Sequence, residues 1–111
     1  MMNKSVAELW VVALRSGEYT QGKGCLEGRE GMCCLGVLCA VADRNNVDVS
    51  MQEGTGYISG STLASQQPTK AWSGIKGDMG QYLDGNLANL NDNEYSFEFL
   101  ANLIEKNWED L

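Results

Sequence analysis

The sequence predicts an α+β fold in a single small domain, with a central buried helix, flanking helices and two short antiparallel hairpins. Three observations predict it. From Cys34 to Ala42, apolar residues occupy nearly every side of a helix, which calls for burial on several faces at once. Val6, Leu9, Trp10, Ala13 and Leu14 near one end, and Phe97, Leu100, Ala101, Ile104 and Trp108 near the other, recur with helical period. Between and beside these blocks, short segments flank glycine-bounded links of the kind hairpins use. Helical and alternating patterns therefore come in separate blocks, as in α+β proteins. At 111 residues the chain forms one domain with one core, spanning 1–111.

Taken in order, Ser5 and Glu8 stand in the spacing of a capping box and predict a first helix over Val6–Arg15. Gly17 falls where a left-handed cap ends that helix. Glu18 to Gln21 reads as a loop or short strand, followed by Lys23 among the glycines 17, 22 and 24. Such a stretch exposes backbone amides, one cation and one aromatic face; it is not a phosphate-binding loop of the G-x4-G-K-[ST] kind, because glycine follows Lys23.

Segments 24–27 and 32–35, separated by Gly28-Arg29-Glu30-Gly31, predict the first hairpin. The central helix starts near Cys33 or Cys34. Gly36 inside it costs about 1 kcal/mol against alanine, so a neighbouring backbone must pass close by. Asp43-Arg44-Asn45-Asn46 ends it, since asparagine tolerates the left-handed conformation.

Val47 to Met51 and Tyr57 to Ser59, around Gly54-Thr55-Gly56, predict a second hairpin. Pro68 suits the first turn of a short helix that carries Ala71 and Trp72 and stops at Gly74. Residues 74–85 read as irregular, with a short strand at Gln81-Tyr82-Leu83. Asn86 caps a turn through Leu87 and Leu90, and Ser96 caps a last helix over Phe97–Trp108.

Trp10, Ala13, Leu14, Ser16, Gly17, Tyr19 and Gln21, then Cys33-Cys34-Leu35-Gly36-Val37-Leu38-Cys39, Trp72-Ser73-Gly74 and Leu90-Asn91-Asp92 with Ser96-Phe97, resemble a widespread family of small phage and prophage proteins. The likeness spans nearly the whole chain and is weakest over residues 49–71, where a proline-rich, tryptophan-led run is missing. It implies a viral origin and a bacterial host cytosol, and it brings no activity, cofactor or catalytic residue with it.

Composition excludes several function classes. Fifteen acidic against eight basic residues give a net charge of −7, which repels nucleic acid phosphates and anionic membranes. The acids are scattered rather than arrayed, so they do not imitate DNA. The last helix carries Glu98, Glu105 and Glu109, the wrong sign for a recognition helix. No apolar run approaches the roughly 20 residues that span a bilayer, and the first residues lack the features of a signal peptide. The chain has no histidine, and Cys25, Cys33, Cys34 and Cys39 are not spaced as paired zinc knuckles. No metal, no cofactor and no catalytic residue is expected, and the cysteines read as small buried hydrophobes. The one route to chemistry is a thiol at Cys33 or Cys34, where a helix N-terminus lowers a thiol pKa.

Two function classes remain. One is sequestration of a small anionic, nucleotide-like host immune signal, with Tyr19, Gln21, Lys23, Cys33, Cys34 and Trp72 around the ligand and Trp10 as a further stacking surface. The other is an acidic inhibitor that binds a host defence protein directly. A closed small oligomer suits a chain of this size.

Overall fold

The computed structural model describes residues 1–111, and no helix in it is long and apolar enough to cross a membrane. Five α-helices and two small antiparallel ribbons surround one core, so the fold is α+β and mostly helical. In order they are α1 (Lys4–Arg15), β1 (Glu27–Gly28), β2 (Gly31–Met32), α2 (Cys34–Arg44), α3 (Gln67–Ser73), β3 (Gln81–Tyr82), β4 (Gly85–Asn86), α4 (Leu87–Asp92) and α5 (Phe97–Asn107).

Helix α1 begins two residues earlier than the capping box predicts. The Asn3 side chain accepts hydrogen bonds from the Ser5 and Val6 amides and serves as the cap, leaving Ser5 and Glu8 inside the helix. Its buried face is also turned from the predicted stripe. Val6, Ala7, Trp10, Val11 and Leu14 are buried, whereas Leu9 stays 44% exposed and Val12 67% exposed. Two neighbours cause this: α1 packs on α5 along one side and on α2 along the other, so the apolar arc widens toward Ala7 and Val11.

Helix α2 is the predicted central element. Eight of its residues, Cys34 to Cys39 with Val41 and Ala42, are buried. Helices α1, α3 and α4 pack around it. The last helix lies mainly along α1 and against α4, where the sequence placed it on the central helix itself. Gly36 is the reason the first ribbon can lie on α2. A Cβ there would clash with the Leu26 carbonyl oxygen and come 2.7 Å from its carbonyl carbon.

The first hairpin forms with only two residues per strand, Glu27 facing Met32 and Gly28 facing Gly31, around a turn at Arg29 and Glu30. Gln21 joins β2 through a parallel bridge to Met32, with Gly22 N donating to Met32 O at 2.7 Å. The second predicted hairpin reduces to a single bridge between Met51 and Ile58. The fully buried Gln66 explains the reduction, because its carboxamide binds Ser50 N, Ser50 O and Ser59 O at 2.9 Å each and substitutes for strand partners. The second true ribbon is β3 with β4, downstream of the predicted place.

Local signals behave as expected elsewhere. Gly74 takes φ 74° at the end of α3, and Asn86 and Ser96 accept from the Asn89 and Phe99 amides. Helix α5 stops at Asn107, one residue early, and passes into a 3-10 turn over Trp108–Asp110.

Candidate functional site

The segment expected to hold an anion lies where the first ribbon, the start of α2 and the end of α4 meet. Its glycines and Lys23 do expose donors, but the chain itself supplies the acceptors. Asn91, fully buried on α4, accepts through Oδ1 from Gln21 Nε2 at 2.8 Å and from Cys34 N at 3.2 Å, and donates through Nδ2 to Gly22 O at 2.8 Å. Gln21 Nε2 also donates to Tyr95 O at 2.7 Å. Asp92 accepts from Gly24 N at 3.1 Å, and Lys23 Nζ lies 2.9 Å from Glu94 Oε1. A carboxamide, two carboxylates and a carbonyl thus occupy the positions an external anion would take.

The electrostatics agree with the geometry. The side-chain bond from Lys23 holds the Glu94 carboxyl below its ordinary value of 4.5. At the start of α2, burial pushes Cys33 up to about 11 and Cys34 well above the ordinary thiol value of 9.0, and burial takes Cys39 up to about 12. Backbone amides at the helix start lower Cys33 and Cys34, but desolvation outweighs them. Neither thiol is activated. Cys34 Sγ is packed 3.7 Å from Leu87 O, and Cys33 lines a cavity of about 140 Å³ beside the half-buried Cys25.

The remaining expected residues are dispersed. Trp72 is half-buried against the core from α3, and Trp10 is fully buried, donating from Nε1 to Cys34 O at 2.9 Å. Tyr19 lies under the Arg44 guanidinium, whose Cζ is 5.5 Å from the ring centroid. It lines an open groove of about 420 Å³ with Arg29, Tyr57 and Met32. Its hydroxyl is enclosed with no hydrogen-bond partner, and burial raises its pKa. Glu18, Glu27 and Glu30 line the same groove, with Glu18 paired to Arg44 at 2.8 Å.

A second groove of about 420 Å³ runs between α1 and the C-terminal end of α5. Ala7, Val11, Val12 and Trp108 form its apolar part, with Lys4, Glu8 and Glu105 at the rim. Arg15, also on this rim, is held by Glu105 at 3.2 Å and Glu98 at 3.6 Å. Sequence reasoning missed this face because it placed Leu9 inside and gave Val12 no role. It also missed Asn91, whose partners lie 57 to 70 residues away.

A family model described as Domain of unknown function (DUF8296) matches residues 2–108, nearly the whole chain. No curated protein and no solved structure matches.

Proposed function

The chain belongs to the DUF8296 family, and from the sequence resemblance to small phage proteins we propose that it is a phage-encoded accessory protein that works by binding, not catalysis. In this reading it is an acidic inhibitor in the cytosol of a bacterial host, docking onto a host defence protein. The observation that carries it is the exposed apolar face of α1, Leu9 and Val12 beside the groove of Val11 and Trp108, rimmed by Lys4, Glu8, Arg15 and Glu105. An apolar centre with a rim of mixed charge fits a partner that presents apolar side chains within a polar surface, and the net charge of −7 on the whole chain favours a basic one. The pairing of Gly24 N with Asp92 and of Lys23 with Glu94 agrees with the same reading, because these donors already have acceptors within the chain.

Affinity capture from host lysate tests it, using the wild-type chain beside Val12→Asp. The wild type should retain a basic host protein that raised salt releases, and Val12→Asp should retain none of it while melting at the same temperature. Equal capture by both chains would remove the α1 face from the account.

A second reading, sequestration of a nucleotide-like signal, keeps one favourable observation: Tyr19, Arg29 and Tyr57 line one groove. Against it stand the three glutamates of that groove. A nucleotide that co-purifies with the wild type and is lost from Arg29→Ala would favour it.

A further inference from the structure

Between β3 and Tyr95 the chain surrounds an open groove of about 530 Å³, within the roughly 300–1,000 Å³ of small-molecule sites. Tyr82, Asn86, Asn89, Leu90, Asn93 and Tyr95 line it, and none of them carries a charge in a chain that is 21% charged.

Three asparagines give the groove its chemistry. Asn86 uses Oδ1 to accept from Asn89 N at 2.8 Å, which fixes its carboxamide and leaves the Nδ2 donor free. Asn93 does the reverse. Its Nδ2 donates to Asn89 O at 2.7 Å, leaving Oδ1 as a fixed acceptor. Asn89, exposed between them, has a carboxamide free of bonds to the chain and able to turn either end to a ligand. The result is one positioned donor, one positioned acceptor and one adjustable group along a single groove.

The aromatic component is also positioned. The Tyr95 ring packs on Phe99 with centroids 4.7 Å apart and planes tilted by 36°, yet the residue stays 43% exposed. Tyr82 and Leu90 add half-buried apolar surface.

We infer that this groove binds a neutral saccharide. Ring hydroxyls both donate and accept, so neighbouring hydroxyls match a free amide nitrogen beside a free amide oxygen, while the C–H face of a sugar packs on a fixed aromatic ring. An anion is disfavoured, since Asp84, Asp92 and Glu94 are neighbours in the chain and the groove holds no cation. A cation would find no carboxylate among the lining residues. The inference shares no residue with the α1 face, and its test is separate from that of the protein-binding reading.

Saturation-transfer NMR on the full chain tests it, with methyl glycosides of glucose, galactose and N-acetylglucosamine as probes and uridine and adenosine as flat neutral competitors. The expected result is transfer to the ring protons of at least one glycoside, with the Kd weakened at least about tenfold in both Tyr95→Ala and Asn89→Asp. Asn89→Asp keeps the shape of an exposed side chain, so it guards against loosening of Phe99 in Tyr95→Ala. No transfer to any glycoside, transfer to the nucleosides alone, or transfer that persists in both variants would overturn the inference.

Discussion

The Oδ1 of Asn91 lies 3.2 Å from the backbone nitrogen of Cys34, so a side chain 57 residues downstream caps the central helix. Replacing Asn91 by alanine leaves the Cys34 amide and the Gly22 carbonyl without these partners. Each buried group so stranded costs about 1–3 kcal/mol, and the loss of stability should reach about 2–4 kcal/mol in urea unfolding at unchanged m-value. A loss below about 1 kcal/mol would mean that water replaces the carboxamide.

Gly36→Ala should reverse the sign that helix propensity gives. In an open helix the change would add about 1 kcal/mol of stability. Here the new methyl group meets the Leu26 carbonyl, and the expected outcome is a loss of about 1–3 kcal/mol or more, as for overpacking. A chemical melt decides between the two signs.

The buried thiols should be silent to alkylation. At pH 8 and short times, iodoacetamide should add one label, at the half-buried Cys25, and four labels once urea unfolds the chain. Fast labelling of Cys33 in the folded protein, read by mass spectrometry, would contradict its burial. The same burial gives a pH dependence. Folded Cys33 and Cys39 keep protons that the unfolded chain releases above about 9, so their contribution is whole below that pH and declines as pH rises toward about 11 and 12.

Lys23 and Glu94 form an exposed pair, with side chains 50% and 80% accessible, so Lys23→Ala should leave the thermal midpoint within error. The carboxyl should respond nonetheless. NMR titration should place Glu94 below 4.5 in the wild type and raise it in Lys23→Ala. Because the folded value is the lower one, whatever the pair contributes is present above 4.5 and disappears as pH falls through the shifted value. An identical Glu94 titration in the two proteins would remove the ion pair from the account.

What was legible in the sequence was local. Asn86 and Ser96 cap through amides three residues away, and Gly74 closes α3 through its own φ, so residue type and position were enough. Gly36 also announced a close approach, though not that Leu26 makes it. The residues 47–59 alternate like a hairpin, but the ladder gives way to Gln66, a residue whose polarity argued for the surface. The internal partners of the expected anion site were hidden for a related reason. Glycines, Lys23 and a helix N-terminus do converge, yet the acceptors that satisfy them come from Asn91, Asp92 and Glu94, which spacing along the chain could not bring to them.

In the proposed reading the chain acts through the α1 face on a protein, and not through Lys23 on a small anion. Native mass spectrometry of the chain purified from its host, as wild type, Val12→Asp and Lys23→Ala, separates the two. The expected result is a wild-type mass raised by a bound protein, the same complex in Lys23→Ala, and the free chain in Val12→Asp. A wild-type mass raised by one nucleotide, retained in Val12→Asp and lost in Lys23→Ala, would contradict it.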